Sequence, residues 1–431
     1  MSSNYAKGES MSKKITRFSA VISIALLIIG LIAGVLIGSY LLPNGQTAGA
    51  KLTGEIPIGY LADDDYVYLQ LGQKYAIQIV QDDINNYWQS LGLNATVKFI
   101  TENAGDDEVK ALAAVQTMAA LGCKATVGWG WTSMIKAADS FVNTNHILLV
   151  SAGATGLAEA IPNDYIYRCR GSDGANAIVT ARMMITKGIK AVAALHVGDS
   201  WGDGFWPMVQ TEFQRLGGVV VSDIRFSKDA TEFSSEVSQT ATAVTQAIGT
   251  YTKAKVAVLL IAYPQHQAAI LNAAASYPNL LSVLWFGSNG TVYNTDVIRD
   301  AGEIAAETVN YSPNEAFKKT PKYEVFRQKF HNLTGTDPVG ISAANLYDAA
   351  WVIALTITQL GVYDGVKMKD MFPTVCDSFF GIVGWMHLDA AGDRAYQDYE
   401  IGMISKNATT SIIGWSTVGY YDLASDTLTW Y

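Results

Sequence analysis

The chain has 431 residues, 49% of them hydrophobic and 16% charged. That composition excludes a disordered chain and leaves room for two or three packed domains. The formal net charge is −9; without clustered Lys and Arg to neutralise phosphates, a nucleic-acid partner is excluded. Three cysteines lack CxxC spacing, and His146, His196, His266, His331 and His387 lack H-E-x-x-H or Cys/His spacing. No metal site and no cofactor are therefore expected.

At the N-terminus, Lys13, Lys14 and Arg17 precede an uncharged stretch at 18–42. That stretch exceeds the roughly 20 residues that span a bilayer and the ~7–15-residue apolar core of a cleaved signal peptide. It is expected to be a single-pass transmembrane signal-anchor. Residues 1–17 stay cytoplasmic and the main domain lies outside the cell. Cleavage near Ala48-Gly49-Ala50 is the other reading. No cysteine follows the stretch closely, so a lipid anchor is not available. An outside location permits one disulfide among Cys123, Cys169 and Cys376; three buried thiols are the alternative. Asn94, Asn289, Asn310, Asn332 and Asn407 begin Asn-x-Ser/Thr triplets, compatible with glycosylation outside the cell.

After a small polar linker at 43–54, an alternation begins. Residues 56–61 read as a strand and 69–88 carry helical spacing. At 95–101, Val97 and Phe99 alternate with Lys98, a strand. At 106–121, acids precede apolar residues at Val109, Leu112, Val115 and Met118, a helix. Strands at 125–128 and 147–151 flank a helix at 132–142. After Gly171 the rhythm restarts. Helices at 176–186, 205–216, 233–248 and 266–275 alternate with strands at 191–197, 219–224, 256–262 and 281–287. Helices at 323–331 and 343–360 follow, then a strand-rich tail from Gly381. In that tail HLDAAGDRAY forms a turn between extended segments. Strands alternating with helices imply an α/β fold of parallel sheets flanked by helices, here as two Rossmann-like lobes.

The stretches IPIGYLADDD, VGWGWTSMIKAADSF, HILLVSAGATGLAE, YIYRCRGSDGANA, HVGDSWGDGF, AVLLIAYPQHQ, LWFGSNGT and GWMHLDAAGDRAYQDYEI come in a telling order. Together they resemble the type I solute-binding proteins of ABC importers, in the branched-chain amino-acid/amide group. The resemblance covers about 55–431. It implies lobes joined by three crossovers, lobe I at 51–171 plus 311–372 and lobe II at 172–310 plus 373–431. A small solute (amino acid, amide or small carboxylate) sits between hinged lobes, and an ABC permease is the implied partner. The chain is expected not to be an enzyme.

Open parallel sheets bind ligands beyond the carboxyl ends of their strands, where helix N-termini present free N–H groups. Trp131, Thr132 and Ser133 stand at such a strand-to-helix junction, and Gly153 and Thr155 follow the next strand. Thr132, Ser133, the Gly153 backbone and Thr155 are expected to hold a carboxylate or amide oxygen; the alternative makes Thr132 and Ser133 helix caps. By resemblance, Trp201 and Tyr263 close over the solute from lobe II. Asn289 stands where branched-chain binders carry an acid for the ammonium, which puts an α-amino acid in question. Asp64, with Asp63 and Asp65, is a candidate to restore that charge; a solvated acidic turn is the alternative. Trp129 and Trp206 also fall near strand ends facing the cleft.

The sequence also fits two rival functions. Gly198-Asp199-Ser200-Trp201-Gly202 fits the nucleophile elbow of α/β-hydrolases, which needs a later acid and His. A surface-layer or filament component could use the same fold, because fold does not set function.

Overall fold

Short apolar runs make many of the strands of this chain, and amphipathic segments between them make the helices. The computed structural model describes residues 52–63, 67–308, 310–316, 320–338 and 341–431, with the backbone alone at 67–71. The expected anchor at 18–42, its basic flank, nearly all of the linker, and Asp64 and Asp65 lie outside the described residues. Among the described residues no single helix is long and apolar enough to cross a membrane.

In chain order the first elements are β1 (Thr53–Ala62), α1 (Val67–Ser90), β2 (Asn94–Asn103), α2 (Glu108–Ala120), β3 (Ala125–Gly128), α3 (Thr132–Asn145), β4 (Leu148–Ser151) and β5 (Ile166–Gly171). Next come α4 (Asp173–Thr186), β6 (Ala191–Gly198), α5 (Ser200–Arg215), β7 (Val219–Ser227), α6 (Ser234–Tyr251) and β8 (Val256–Ile261). They are followed by α7 (Pro264–Ala274), α8 (Pro278–Leu281), β9 (Leu284–Gly287), α9 (Thr295–Glu307) and β10 (Tyr311–Ala316). Three further helices are α10 (Pro321–Thr334), α11 (Ser342–Leu360) and α12 (Gly365–Ser378). The tail holds β11 (Phe380–Gly381), β12 (Gly384–Trp385), β13 (Asp393–Arg394), β14 (Asp398–Lys406), β15 (Ile413–Asp422) and β16 (Thr427–Trp430).

Two sheets organise these elements. A six-stranded sheet runs β13-β5-β4-β3-β1-β2, all parallel. An eight-stranded sheet runs β16-β15-β14-β10-β9-β8-β6-β7 and turns antiparallel from β14 onward. Residues of β3, β4 and β8 are buried without exception, as strands covered on both faces require.

Among the described residues the chain passes between the two sheets three times: after β5, after β10, and between β13 and β14. The expected lobe limits at 310/311 and 372/373 depart from these crossings. Tyr311–Ala316 pairs along its whole length with β14 in the second sheet, and Ile382, Val383, Met386 and Leu388 pack with α1, α11 and α12 in the first core. Several elements escape the sequence pattern. β5 reads IYRCRG, with two arginines where apolar residues are expected. β10 reads YSPNEA, polar and proline-bearing, and resembles a loop. α12 carries Pro373, and α9 bends at Ala301. Charge pairing or a strand partner supplies what local propensity lacks at β5 and β10.

Candidate functional site

The carboxyl ends of β3 and β4 face those of β6, β8 and β9 across a cleft of about 90 Å³. One water needs ~10–15 Å³ on this measure, so the space suits a small solute. Trp131, Thr132, Gly153 and Thr155 line it from the first lobe; Trp201, Tyr263 and Asn289 line it from the second. These seven candidates thus share one wall-to-wall space. Ser133 is buried in α3 without lining the cleft.

Local hydrogen bonds explain how the first-lobe loops are held. α3 begins at Thr132 with Trp131 at its N-cap and no side-chain cap, so the alternative role of Thr132 as a cap does not apply. The Thr132 hydroxyl instead accepts the Gly156 N–H at 3.0 Å, tying two loops together. Ser151 Oγ accepts the N–H groups of Gly153 at 3.2 Å and Ala154 at 3.0 Å. The Gly153 N–H expected to serve the solute is therefore engaged within its own loop. A glycine is required at 153 for another reason: a Cβ there would lie 2.7 Å from Gly130 Cα and 2.8 Å from Gly130 O. Gly153→Ala is expected to cost about 1–3 kcal/mol through this backbone collision. Urea denaturation checks it, and an unchanged midpoint would mean that the loops separate freely.

Aromatic rings close the cleft. The Tyr263 ring lies 4.8 Å from Trp131, edge-on, and 5.0 Å from Trp201, stacked. Because Trp131 and Tyr263 come from different lobes, this is a closed arrangement. The Tyr263 hydroxyl donates to Asp199, which also caps α5 by accepting the Gly202 N–H. Trp129 and Trp206 are core residues, not cleft residues. Trp129 is fully buried and donates to Thr126 at 2.9 Å, and Trp206 stacks on His196.

The acidic turn is not solvated at its first residue. Asp63 is buried and accepts the Trp131 indole N–H at 2.7 Å. Asp64 lies outside the described residues. Asn289 is a cleft residue whose Oδ1 is buried with no protein partner. Of the other triplets, Asn310 is buried and donates to Ala305 and Thr308, whereas Asn94, Asn332 and Asn407 are exposed. Cys123, Cys169 and Cys376 are buried free thiols.

Sequence reasoning missed two charged groups, one lining the cleft and one buried behind its wall. Arg170 lines it and donates bidentately to Glu315 at 2.6 and 2.5 Å, and to the Gly153 carbonyl at 3.2 Å. Burial alone would lower the Arg170 pKa, but the Glu315 carboxylate offsets this and holds it above its ordinary value. The second group is Asp173, at the start of α4 behind Thr155 and Trp201. It has no exposed surface, and neither carboxylate oxygen reaches hydrogen-bond geometry with a protein partner. Burial pushes its carboxyl up to about 6, against the downward pull of nearby Thr155 and Trp201. The one sequence clue was an acid three residues after the second arginine of YIYRCRGSD.

No Ser–His pair forms at the elbow motif among the described residues. Ser200 Oγ is buried without a partner. Both ring nitrogens of His266 are committed to backbone, and His331 and His387 face Asp337 and Asp377. The described residues also contain no group of three or more metal-ligating side chains.

Residues 73–407 match the family described as the receptor family ligand binding region. An uncharacterized protein of Methanocaldococcus jannaschii is 24% identical over 376 residues, covering 83% of this chain and 87% of that protein. The fold is similar to a leucine-binding protein of Thermotoga maritima, with TM-score 0.70 and 16% identity over 84% of this chain and 97% of the other. A branched-chain amino-acid transporter substrate-binding protein of Streptococcus pneumoniae, solved with isoleucine, gives 0.66 at 17% identity over 84% and 99%. A solute-binding protein of an ABC transporter from Rhodopseudomonas palustris, solved with 3,4-dihydroxybenzoic acid, gives 0.65 at 16% over 86% and 98%. At these identities the likeness establishes the fold: α/β, with parallel sheets flanked by helices, as in type I solute-binding proteins.

Proposed function

Because the chain belongs to the receptor family ligand binding region family, we propose that it is a non-enzymatic solute-binding component of an ABC importer. It captures a small amino acid, amide or carboxylate between two hinged lobes and presents the closed form to a permease. The stretch at 18–42 anchors it in the membrane, with the two-lobed domain on the extracellular side.

The single observation that carries this reading is the cleft between the strand ends, closed by Trp131 against Tyr263. A solute carboxylate or amide oxygen is held by the hydroxyls of Thr132 and Thr155 at the start of α3 and in the loop after β4. Asn289 is neutral, but Asp173, buried behind Thr155 and Trp201, supplies the negative charge that a solute ammonium needs. A charged ammonium would in turn hold that carboxyl ionised, since an opposite charge favours the charged form. Among solute classes, this arrangement favours a zwitterion of small size.

The test is a thermal-shift screen of the compact unit Leu52–Tyr431 against amino acids, amides and small carboxylates. A true solute at a hundredfold excess over its dissociation constant adds about 2.7 kcal/mol to stability. Small-angle scattering with the same solutes reads closure. If none of the three classes stabilises the protein, the cleft has another purpose.

A further inference from the structure

We infer that Lys228 is a closing latch: a positioning residue outside the solute cleft that sets how far the lobes stay shut. The inference rests on the capture reading above, and it begins from strand order. The crossings between lobes involve β5, β10, β13 and β14, which lie toward one side of the two sheets. The opposite edges are β2 in the first sheet and β7 in the second. Lys228 follows β7 directly, and Asp106 sits in the turn between β2 and α2. A contact between them therefore lies at the rim farthest from the hinge. A given opening angle moves these two turns apart more than any pair near the crossings.

The contact is made. Lys228 Nζ donates to the Asp106 carbonyl at 3.1 Å and lies 3.9 Å from a Glu108 carboxylate oxygen. The Lys228 side chain is about one-fifth exposed, at 21%, so its charge is only partly screened. Lys228 is not among the cleft-lining residues, yet it is coupled to one. Its own carbonyl lies 2.9 Å from His266 Nε2, and the Tyr263 N–H donates to His266 Nδ1 at 3.4 Å. With Nε2–H donating and Nδ1 accepting, a neutral imidazole holds the latch turn and the cleft wall in one register. Burial, which keeps the His266 pKa below its ordinary value, favours that neutral form.

A contact present in the closed form and broken in the open one shifts the balance between them whatever solute is bound. Weakening it lowers the closed population, and apparent affinity falls by that same factor for every solute.

The experiment uses the full chain in detergent, with spin labels at Leu121→Cys and Val219→Cys. Both positions are exposed, one on each lobe. Without solute, Lys228→Met, which keeps the apolar stem and removes the donor, is expected to lengthen and broaden the interlobe distance. Lys228→Arg, which keeps a donor, is expected to stay close to the parent. With L-leucine and benzoate as probes, Lys228→Met is expected to weaken whichever binds by about three- to tenfold, the range of partly exposed charged contacts. The ratio of the two affinities should stay unchanged. An unaltered distance distribution in Lys228→Met overturns the latch, as does a change in the leucine-to-benzoate ratio. If neither probe binds the parent, the capture reading fails for those probes while the distance measurement still decides the latch.

Discussion

Arg168→Met is expected to lower stability by about 3–5 kcal/mol, the usual cost of removing one partner of a buried ion pair. Arg168 and Asp393 have side chains only 1% and 2% exposed. The guanidinium donates through Nε and Nη2 to the two carboxylate oxygens, and through Nη1 to the Gly156 carbonyl. The pair joins β5 to β13, between two of the crossings. Burial holds the Asp393 carboxyl above its ordinary value even with Arg168 pulling it down. Without Arg168 it should rise further and take up a proton. The sign of the pH effect follows. A carboxyl with a raised folded pKa binds more protons in the native state than unfolded, so stability falls as pH rises above its unfolded value of about 4. The deficit of the variant should be largest at neutral pH and shrink toward pH 4. Arg168→Met combined with Asp393→Leu should recover much of the loss, since an apolar pair of similar volume replaces the charges. Denaturation midpoints at pH 4 and pH 7 check both expectations. Equal losses at the two pH values, with no recovery in the double variant, would assign the effect to packing.

Asp173→Asn is expected to act in opposite directions on binding and on stability. If Asp173 pairs with a solute ammonium, the variant loses about 2–5 kcal/mol of affinity for zwitterions, or roughly 30-fold and more. Carboxylates without an amino group should be affected little. The solute-free protein should gain stability at neutral pH. The Asp173 carboxyl, held by burial at about 6, is ionised at pH 7 although it is fully buried. One pKa unit corresponds to about 1.4 kcal/mol, so the gain is on the order of 1–3 kcal/mol. The native state of the parent binds the extra proton between about pH 4 and 6, so its stability falls as pH rises through that window. The variant lacks this slope, and its advantage should grow from pH 4 to pH 6 and then level off. Calorimetric titration of zwitterions and thermal unfolding across that range separate the outcomes. Unchanged zwitterion affinity would remove Asp173 from the site.

Much of the fold was legible because the strands announce themselves as short apolar runs. The β8 run VAVLLI is buried at every position, and a strand covered on both faces leaves no other pattern available. The junctions that carry Trp131, Thr132, Gly153 and Thr155 were readable for a related reason. A strand ending just before a helix begins puts its loop at the carboxyl edge of a sheet, where clefts form. Trp129 and Trp206 show the limit of that reasoning. They occupy similar places along the chain to Trp131 and Trp201, yet point into the cores.

Sequence by itself determined the alternation of strands and helices, the two-lobed plan and the loops that face the cleft, because burial periodicity and turn chemistry are local properties. Tertiary structure alone decided that Arg168 could be buried and Arg170 nearly so, that Tyr311–Ala316 is a strand, and that Lys228 reaches Asp106. Each of these depends on a partner far along the chain: Asp393 for Arg168, Glu315 for Arg170, β14 for the strand. A charge becomes tolerable inside a protein only through what it meets there, and no local window of sequence contains that meeting.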